Sequence, residues 1–179
     1  MRPQESLEER LQMVDMHDDV LYRIETAIRR KQSIEACWLC YACFESRITR
    51  TLEKVSESCQ ERKCYHNNKV GIATRIDCIK RLKRQCYAGT EHFDIHLLGG
   101  IKAWCNDRNK LVHALVTLNN YYGMDKKFLE LAKRGKPLVD SLYTQTTAFR
   151  NAYYELSEMP PFPEMVHEKC RLLKEKTKE

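Results

Sequence analysis

The sequence predicts an all-α protein, a helical bundle with about four to six helices in its core and no β-sheet. Among 179 residues there are only 6 glycines and 5 prolines, and three of the prolines lie within residues 160–163. Long segments are therefore free of helix breakers. Hydrophobic residues make up 42% of the chain and recur at helical spacing, which gives the helices apolar faces to bury in a common core.

Three helices are predicted in the first half of the chain. Residues 6–9, SLEE, have the form of a capping box and open a helix that we expect to end near Arg30. A second helix should run from Ser33 to about Ser58 and pack against the first as an antiparallel hairpin. After a loop at 59–68, a third should run from about Lys69 to Tyr87. The stripe that the second helix would bury comprises Ile34, Cys37, Trp38, Tyr41, Phe44, Ile48, Leu52 and Val55.

The sequence IKAWCNDRNKLVHALVTL at 101–118 predicts an amphipathic helix. Thr90 is a candidate cap for the segment that leads to it, and Gly99-Gly100 predicts a break or a close helix approach just before it. The apolar stripe of this helix comprises Ile101, Trp104, Cys105, Leu111, Val112 and Leu115.

The last part of the chain predicts two further helices. A short one at 125–133 should end at residues 134–136, Arg-Gly-Lys, and Pro137 should open another that reaches about Leu156. We therefore expect one helical domain over residues 1–159, followed at 160–179 by a proline-led linker and a charged helix or tail.

Net charge, the N-terminal sequence and the cysteine count limit which partners, cellular location and cross-links we expect. The net charge of +6 is compatible with phosphate-bearing partners but does not establish nucleic-acid binding. The first ten residues, MRPQESLEER, lack the apolar core of a signal peptide, and no apolar run is long enough to span a membrane. We expect a cytoplasmic protein without membrane contact. The nine cysteines are odd in number and follow no secreted spacing, so they are expected to be thiols.

Arg108 lies near the middle of the apolar stripe at 101–118. A cation held against apolar surface needs either a carboxylate partner or a cleft that an anion can enter. Glu45 lies within the stripe of the second helix and is the candidate partner that would position Arg108. The sequence leaves both interpretations open.

Other polar residues surround the same helix. Asn109 and His113 are at i, i+4 and lie on its neighbouring flank. A basic run closes the third helix, and its residues, with one lysine of the 101–118 helix, are candidate contacts to an RNA backbone; the alternative is a solvated face. These candidates are Lys80, Arg81, Lys83, Arg84 and Lys110.

The string RNKLVH at 108–113 resembles the R-x4-6-H motif of the HEPN domain superfamily (higher eukaryotes and prokaryotes nucleotide-binding), in which a polar residue directly follows the arginine. The family's helical bundle, with the motif on a later helix after a long hairpin, agrees with the predicted elements. The resemblance implies a metal-independent endoribonuclease of toxin–antitoxin, phage-defence or CRISPR-linked type, which acts as a homodimer with two motifs in one cleft.

Carried onto this sequence, the resemblance makes Arg108 and His113 catalytic and gives Asn109 an orienting role. It also implies RNA as substrate and a cognate antitoxin or regulatory protein as a candidate partner. Toxins of this kind that are silenced by adenylylation carry a tyrosine two residues after the histidine, where this chain has Leu115. The resemblance therefore does not extend to that regulation.

The chemistry of RNA cleavage is compatible with these residue types. RNA carries its own nucleophile, the 2′-hydroxyl, so His113 as general base and Arg108 as phosphate clamp suffice to leave a 2′,3′-cyclic phosphate without a metal or cofactor. At i, i+5 the two side chains are about 140° apart around a helix, so one copy does not easily present both to one phosphate. A homodimer with facing motifs solves this. The alternative is a non-catalytic HEPN-like module that binds nucleotide, RNA or protein.

Other clusters are weaker as sites. The series Cys37, Cys40, Cys43 has metal-like spacing, but on one helix its members rotate by about 60° each, which favours separate buried or boundary thiols. His92 and His96 have zinc-compatible spacing without an evident third ligand. Cys59, Cys64 and His66 are merely close in one loop. The common glycine-rich nucleotide motifs and the G-x-S-x-G motif do not occur.

Overall fold

A computed structural model describes residues 19–56, 70–87, 89–117 and 123–157 of the chain. Within these ranges every regular element is helical and no strand occurs, so the all-α prediction is confirmed. The helices are α1 over residues 19–29, α2 (Ser33–Ser56), α3 (Ile72–Arg84), α4 (Ile95–Thr117) and α5 (Met124–Ser157), with a 3-10 turn at Thr90–His92 before α4. The expected capping box at 6–9, the loop at 59–68 and the proline-led segment at 160–179 lie outside the described residues.

The chain divides into two compact units. Of the described residues, those at 19–43, 104–117 and 123–140 form one unit, called the motif unit because it holds residues 108–113. Those at 44–56, 70–87, 89–103 and 141–157 form the other, called the α3 unit. Helices α2, α4 and α5 contribute residues to both units.

Each unit has its own buried apolar side chains. In the motif unit they come from α1, α2, α4 and α5 and include Ile24, Ala27, Ala36, Cys37, Cys40, Trp104, Cys105, Phe128, Leu131, Ala132 and Val139. In the α3 unit they include Phe44, Ile48, Leu52, Val55, Ile72, Ile76, Ile79, Leu82, Phe93, Leu98, Ile101, Leu142 and Phe149.

Helices α1 and α3 end in the same way. After α1 the amide of Gln32 donates to the carbonyl of Ala27 (2.8 Å), with Lys31 in the left-handed region at φ 59°. After α3 the amide of Tyr87 donates to the carbonyl of Leu82 (3.0 Å), with Cys86 at φ 55°. These are Schellman motifs in which a side-chain-bearing residue takes the position that glycine usually occupies. The sequence gives no glycine signal at either end, yet both helices end close to where the periodicity predicted.

The start of α4 differs from the prediction. Asp94, not Thr90, caps the helix, because its carboxylate accepts from the amide of His96 at 2.8 Å. The hydroxyl of Thr90 instead donates to the carbonyl of Tyr87. Of the two alternatives predicted at Gly99-Gly100, the break is wrong, since α4 runs through both residues. The close approach concerns a side chain of α3, because a Cβ at Gly99 would lie 3.5 Å from Nζ of Lys80. A capped helix with a buried face tolerates an internal glycine at a cost of about 1 kcal/mol.

The prediction that one helix ends at 134–136 and another opens at Pro137 is also wrong, because α5 is continuous from Met124 to Ser157 with Pro137 inside it. Gly135 is there because of a close contact: a Cβ at this position would lie 2.8 Å from Nε1 of Trp104. The indole donates from Nε1 to the carbonyl of Leu131 at 2.8 Å and is fixed in place. Gly135 is therefore needed to make room for the indole of Trp104, and it does not end the helix.

Some residues of the predicted stripes are exposed. Trp38 has 53% of its surface exposed and Ile34 40%, because Cys37 and Cys40 take the inward positions of α2 and turn Trp38 about 100° round the helix. In the second half of α4, the stripe residues Leu111, Val112 and Leu115 are only half-buried.

Candidate functional site

The guanidinium of Arg108 lies against two aromatic rings of α2. Its central carbon is 4.3 Å from the ring centroid of Trp38 and 4.5 Å from that of Tyr41. The two rings meet edge to face, with centroids 6.4 Å apart and planes at 82°. They are three residues apart on one helix, and this spacing puts both on the side where Arg108 lies. We call these three residues the arginine clamp.

Arg108 is buried without a carboxylate partner among the described residues. It is 9% exposed, its Nη1 donates to Oδ1 of Asn109 at 3.1 Å, and its Nη2 is buried without a hydrogen-bond partner. A desolvated cation costs several kcal/mol, and a cation–π contact in a dry site returns only about 2 kcal/mol. The clamp therefore holds a charge whose desolvation is incompletely offset.

The sequence placed Glu45 on the buried face of α2 as the partner of Arg108. That placement is wrong, because Glu45 is exposed. Tyr41 and Trp38, one and two turns earlier on α2, take the place of the expected carboxylate. The role of Glu45 in catalysis stays a prediction that no contact to Arg108 supports.

Asn109 and His113 are both exposed on α4. The side-chain oxygen of Asn109 accepts a hydrogen bond from Arg108, while its orienting role in catalysis stays a prediction. The backbone carbonyl of His113 accepts from the hydroxyl of Thr117 at 2.8 Å, and its imidazole is open to solvent. One copy therefore presents the histidine to solvent and keeps the arginine covered.

Buried thiols lie behind the clamp. Burial raises the pKa of the Cys37 thiol to about 12, although the positive charge of Arg108 lowers it, and the thiol donates to the carbonyl of Phe128 at 3.1 Å. Burial and the neighbouring thiols raise the pKa of Cys40 still further. These two cysteines are protonated side chains of the core and not nucleophiles. Cys43 is half-buried, in agreement with the rotation of the series around the helix.

The basic candidates of α3 lie in the α3 unit, and part of their charge is engaged there. The ammonium of Lys83 donates to the carbonyls of Glu91 (3.0 Å) and Phe93, and Nε of Arg84 donates to the carbonyl of Lys80 at 3.3 Å. Arg81 is exposed. Lys83 thereby holds the 3-10 turn against the end of α3, which is a structural role. Lys110, by contrast, lies exposed in the motif unit next to Asn109.

In the described ranges, no three histidine, cysteine or acidic side chains come together as a set that would hold a metal ion. Six cysteines of these ranges form no disulfide bond: Cys37, Cys40, Cys43, Cys78, Cys86 and Cys105. No helix in the same ranges combines the length and apolar character needed to cross a bilayer.

Sequence reasoning found Arg108 and missed what holds it. Trp38 and Tyr41 were assigned to the apolar stripe of α2, although their i, i+3 spacing and aromatic character were a usable signal for a cation above them. No family model, curated protein or solved structure matches the chain.

Proposed function

We propose that the protein is a metal-independent endoribonuclease that cuts single-stranded RNA in a dimeric site built from Arg108, Asn109 and His113. By its resemblance to HEPN proteins it would act as a toxin or antiviral-defence effector. The observation that carries the proposal is the buried Nη2 of Arg108, a charged donor without a partner. A phosphate oxygen is the acceptor that a guanidinium binds best.

Arg108 would act as the clamp on the scissile phosphate. Its Nη2 is covered in a single copy, so RNA reaches it only when the ring of Trp38 moves aside or the guanidinium turns outward. Trp38 is more than half exposed, and the contact to be given up is worth about 2 kcal/mol. Charge-assisted hydrogen bonds to a phosphate are of similar size or stronger, so they offset this opening.

His113 would be the general base for the 2′-hydroxyl. Its exposed imidazole is accessible to RNA, and histidine is the side chain that enzymes use most often for proton transfer. Because it is exposed where Arg108 is covered, the two groups do not share one surface of one copy. The proposed active site therefore takes Arg108 from one protomer and His113 from its partner across a two-fold axis.

The second candidate function is a non-catalytic interaction module. One observation favours it: the end of α4 carries exposed apolar surface, with Val116 82% exposed, and Trp38 of α2 is exposed as well. Such surface is typical of protein interfaces. In this reading Arg108 only shapes the interface, and His113 has no chemical role.

The test is cleavage of mixed cellular RNA in EDTA by the wild-type protein and by His113→Ala. The nuclease is expected to cut without metal, to leave 2′,3′-cyclic phosphate ends, and to lose about 10²–10⁴-fold activity in the variant. The matched control is His96→Ala, since His96 is also exposed on α4. Equal activity of wild type and His113→Ala, or cutting that EDTA abolishes, would contradict the proposal.

The two-protomer arrangement is tested by mixing two inactive variants, Arg108→Gln and His113→Ala. A mixed dimer contains one active site with both groups intact, so an equal mixture should recover about a quarter of wild-type activity if subunits exchange freely. Each variant is first checked for native melting. Activity that stays absent after confirmed subunit exchange would rule out the shared site. If the wild-type protein cuts no RNA at all, the non-catalytic interaction module becomes the favoured function.

A further inference from the structure

A groove lies beside the motif in the same unit, between α4 and the beginning of α5. Its volume is about 450 Å³, which is in the range of clefts that hold small ligands. It is lined by Leu111 and Leu131 together with the lysines Lys110, Lys126 and Lys127. None of these lysines was connected with the others by sequence reasoning, because Lys126 and Lys127 lie on a different helix from the motif.

The charges that line the groove are unbalanced. Asp107 is paired with Arg134 at 3.0 Å, and Glu130 is paired with Lys133 at 3.3 Å, so both carboxylates of the groove are already engaged. Lys110, Lys126 and Lys127 are exposed, and their ammonium groups make no ion pair or hydrogen bond with the described part of the chain. Three lysines without a counter-charge in the described part of the chain thus border one cleft, whose own lining is mostly apolar, and they give its surroundings a positive potential.

The groove adjoins the proposed catalytic histidine. Lys110 and His113 are at i, i+3 on α4 and both are exposed, so they are neighbours on one helix face. A strand whose scissile phosphate lies at His113 would bring its next phosphate within reach of Lys110. The half-buried Leu111 supplies apolar surface for a base, which a purely ionic site would lack.

We propose that the groove between α4 and α5 is a subsite for single-stranded RNA, in which Lys110, Lys126 and Lys127 bind the phosphates that flank the scissile bond. This rests on the proposed function and extends it to the substrate path. The groove offers point charges and no arginine other than the paired Arg134, so it reads the backbone and not the sequence of bases.

The experiment measures RNA binding apart from cleavage. All proteins carry His113→Ala, and the probe is a short fluorescein-labelled single-stranded RNA whose anisotropy is followed in EDTA over a range of salt. The pair Lys126→Gln with Lys127→Gln should weaken binding about tenfold at low salt. It should also reduce the slope of log affinity against log salt by about 0.7 for each lost phosphate contact, roughly 1.4 for the pair.

The matched control removes two charges elsewhere in the motif unit, with Arg23→Gln and Arg30→Gln, because both arginines are exposed and neither lines the groove. The control should keep at least most of the affinity and the salt slope. Equal losses in both pairs would show attraction by net charge alone and overturn the subsite. Binding of an acidic peptide such as polyglutamate, without binding of RNA, would overturn it as well.

Failure of the subsite and failure of the nuclease give different results. If the nuclease exists without the subsite, the protein with an intact His113 cuts RNA in EDTA, and Lys126→Gln with Lys127→Gln cuts equally fast at subsaturating RNA. If the subsite exists without the nuclease, RNA binding depends on the two lysines while the protein with an intact His113 cuts nothing.

Discussion

Two positively charged regions of this protein are similar in sequence and different in structure. The end of α3 presents Lys83 and its basic neighbours, and the middle of α4 presents Arg108. Lys83 donates to two backbone carbonyls, whereas Arg108 lies against two aromatic rings with one buried donor unpaired. A basic residue whose donors are hydrogen-bonded to backbone carbonyls has a structural role. A basic residue that keeps an unpaired hydrogen-bond donor is a candidate for ligand binding.

The largest expected effect on stability comes from substituting Lys83, whose ammonium group is hydrogen-bonded to two carbonyls. Lys83→Met keeps the apolar stem but removes charge-assisted bonds to the carbonyls of Glu91 and Phe93, so the free energy of unfolding should fall by about 2 kcal/mol. Urea denaturation measures this. The control is Arg84→Met, which loses only an exposed bond to the carbonyl of Lys80 and should cost a few tenths of a kcal/mol. Equal effects of the two variants would remove the structural role of Lys83.

Alkaline pH should have an intermediate effect, through the thiol next to the unpaired cation. The pKa of Cys37 is raised to about 12 in the folded protein from 9.0, so the unfolded chain loses this proton first. The stabilisation is complete below about pH 9 and falls above it by up to about 1.4 kcal/mol per pH unit, so the loss reached at pH 10, where the measurement ends, is about 1.4 kcal/mol. Urea denaturation between about pH 8 and pH 10 should show less pH dependence for Cys37→Ala than for wild type. An unchanged pH dependence would mean that Cys37 is not held protonated by burial.

The smallest expected effect on stability is at Arg108 itself. In Arg108→Met a buried, partly unsatisfied charge is replaced by an apolar side chain that still packs against Trp38 and Tyr41, so the free energy of unfolding should change by less than about 1 kcal/mol. The same variant should lose RNA cleavage. A loss of stability as large as that of Lys83→Met would erase the contrast between the two regions.

Apolar periodicity predicted the helices well where the residues at the helix ends point to the same boundaries. The periodicity of α2 predicted its start at Ser33, and α3 was placed within a few residues at each end. The errors lie at glycines. Gly99 and Gly135 suggested a break and a helix end, but both are internal to helices. A glycine chosen for contact, as Gly135 is beside Trp104, has the same sequence signal as a glycine that ends a helix.

The candidate site divides in the same way. The position of Arg108 in an apolar stripe was enough to predict from sequence that its charge lies against apolar surface, with either a carboxylate partner or a cleft beside it. The orienting role of Asn109 came from the resemblance to HEPN proteins, and it stays a prediction beside the hydrogen bond that Asn109 accepts from Arg108. The other partners of Arg108 were not predictable. A buried cation is stabilised by a carboxylate or by aromatic faces, and both Glu45 and Trp38 were available in the sequence of α2.

By itself the sequence determined that the described part of the chain is all helical, where α2, α3 and α5 begin, and that the motif on α4 contains a charge within an apolar stripe, because these properties depend on residues within a few turns of one another. Tertiary structure alone decided that aromatic rings and not a carboxylate hold Arg108, that Lys83 is structural, and that lysines of α4 and α5 share one groove. Such contacts join residues far apart in the chain, and no local spacing encodes them.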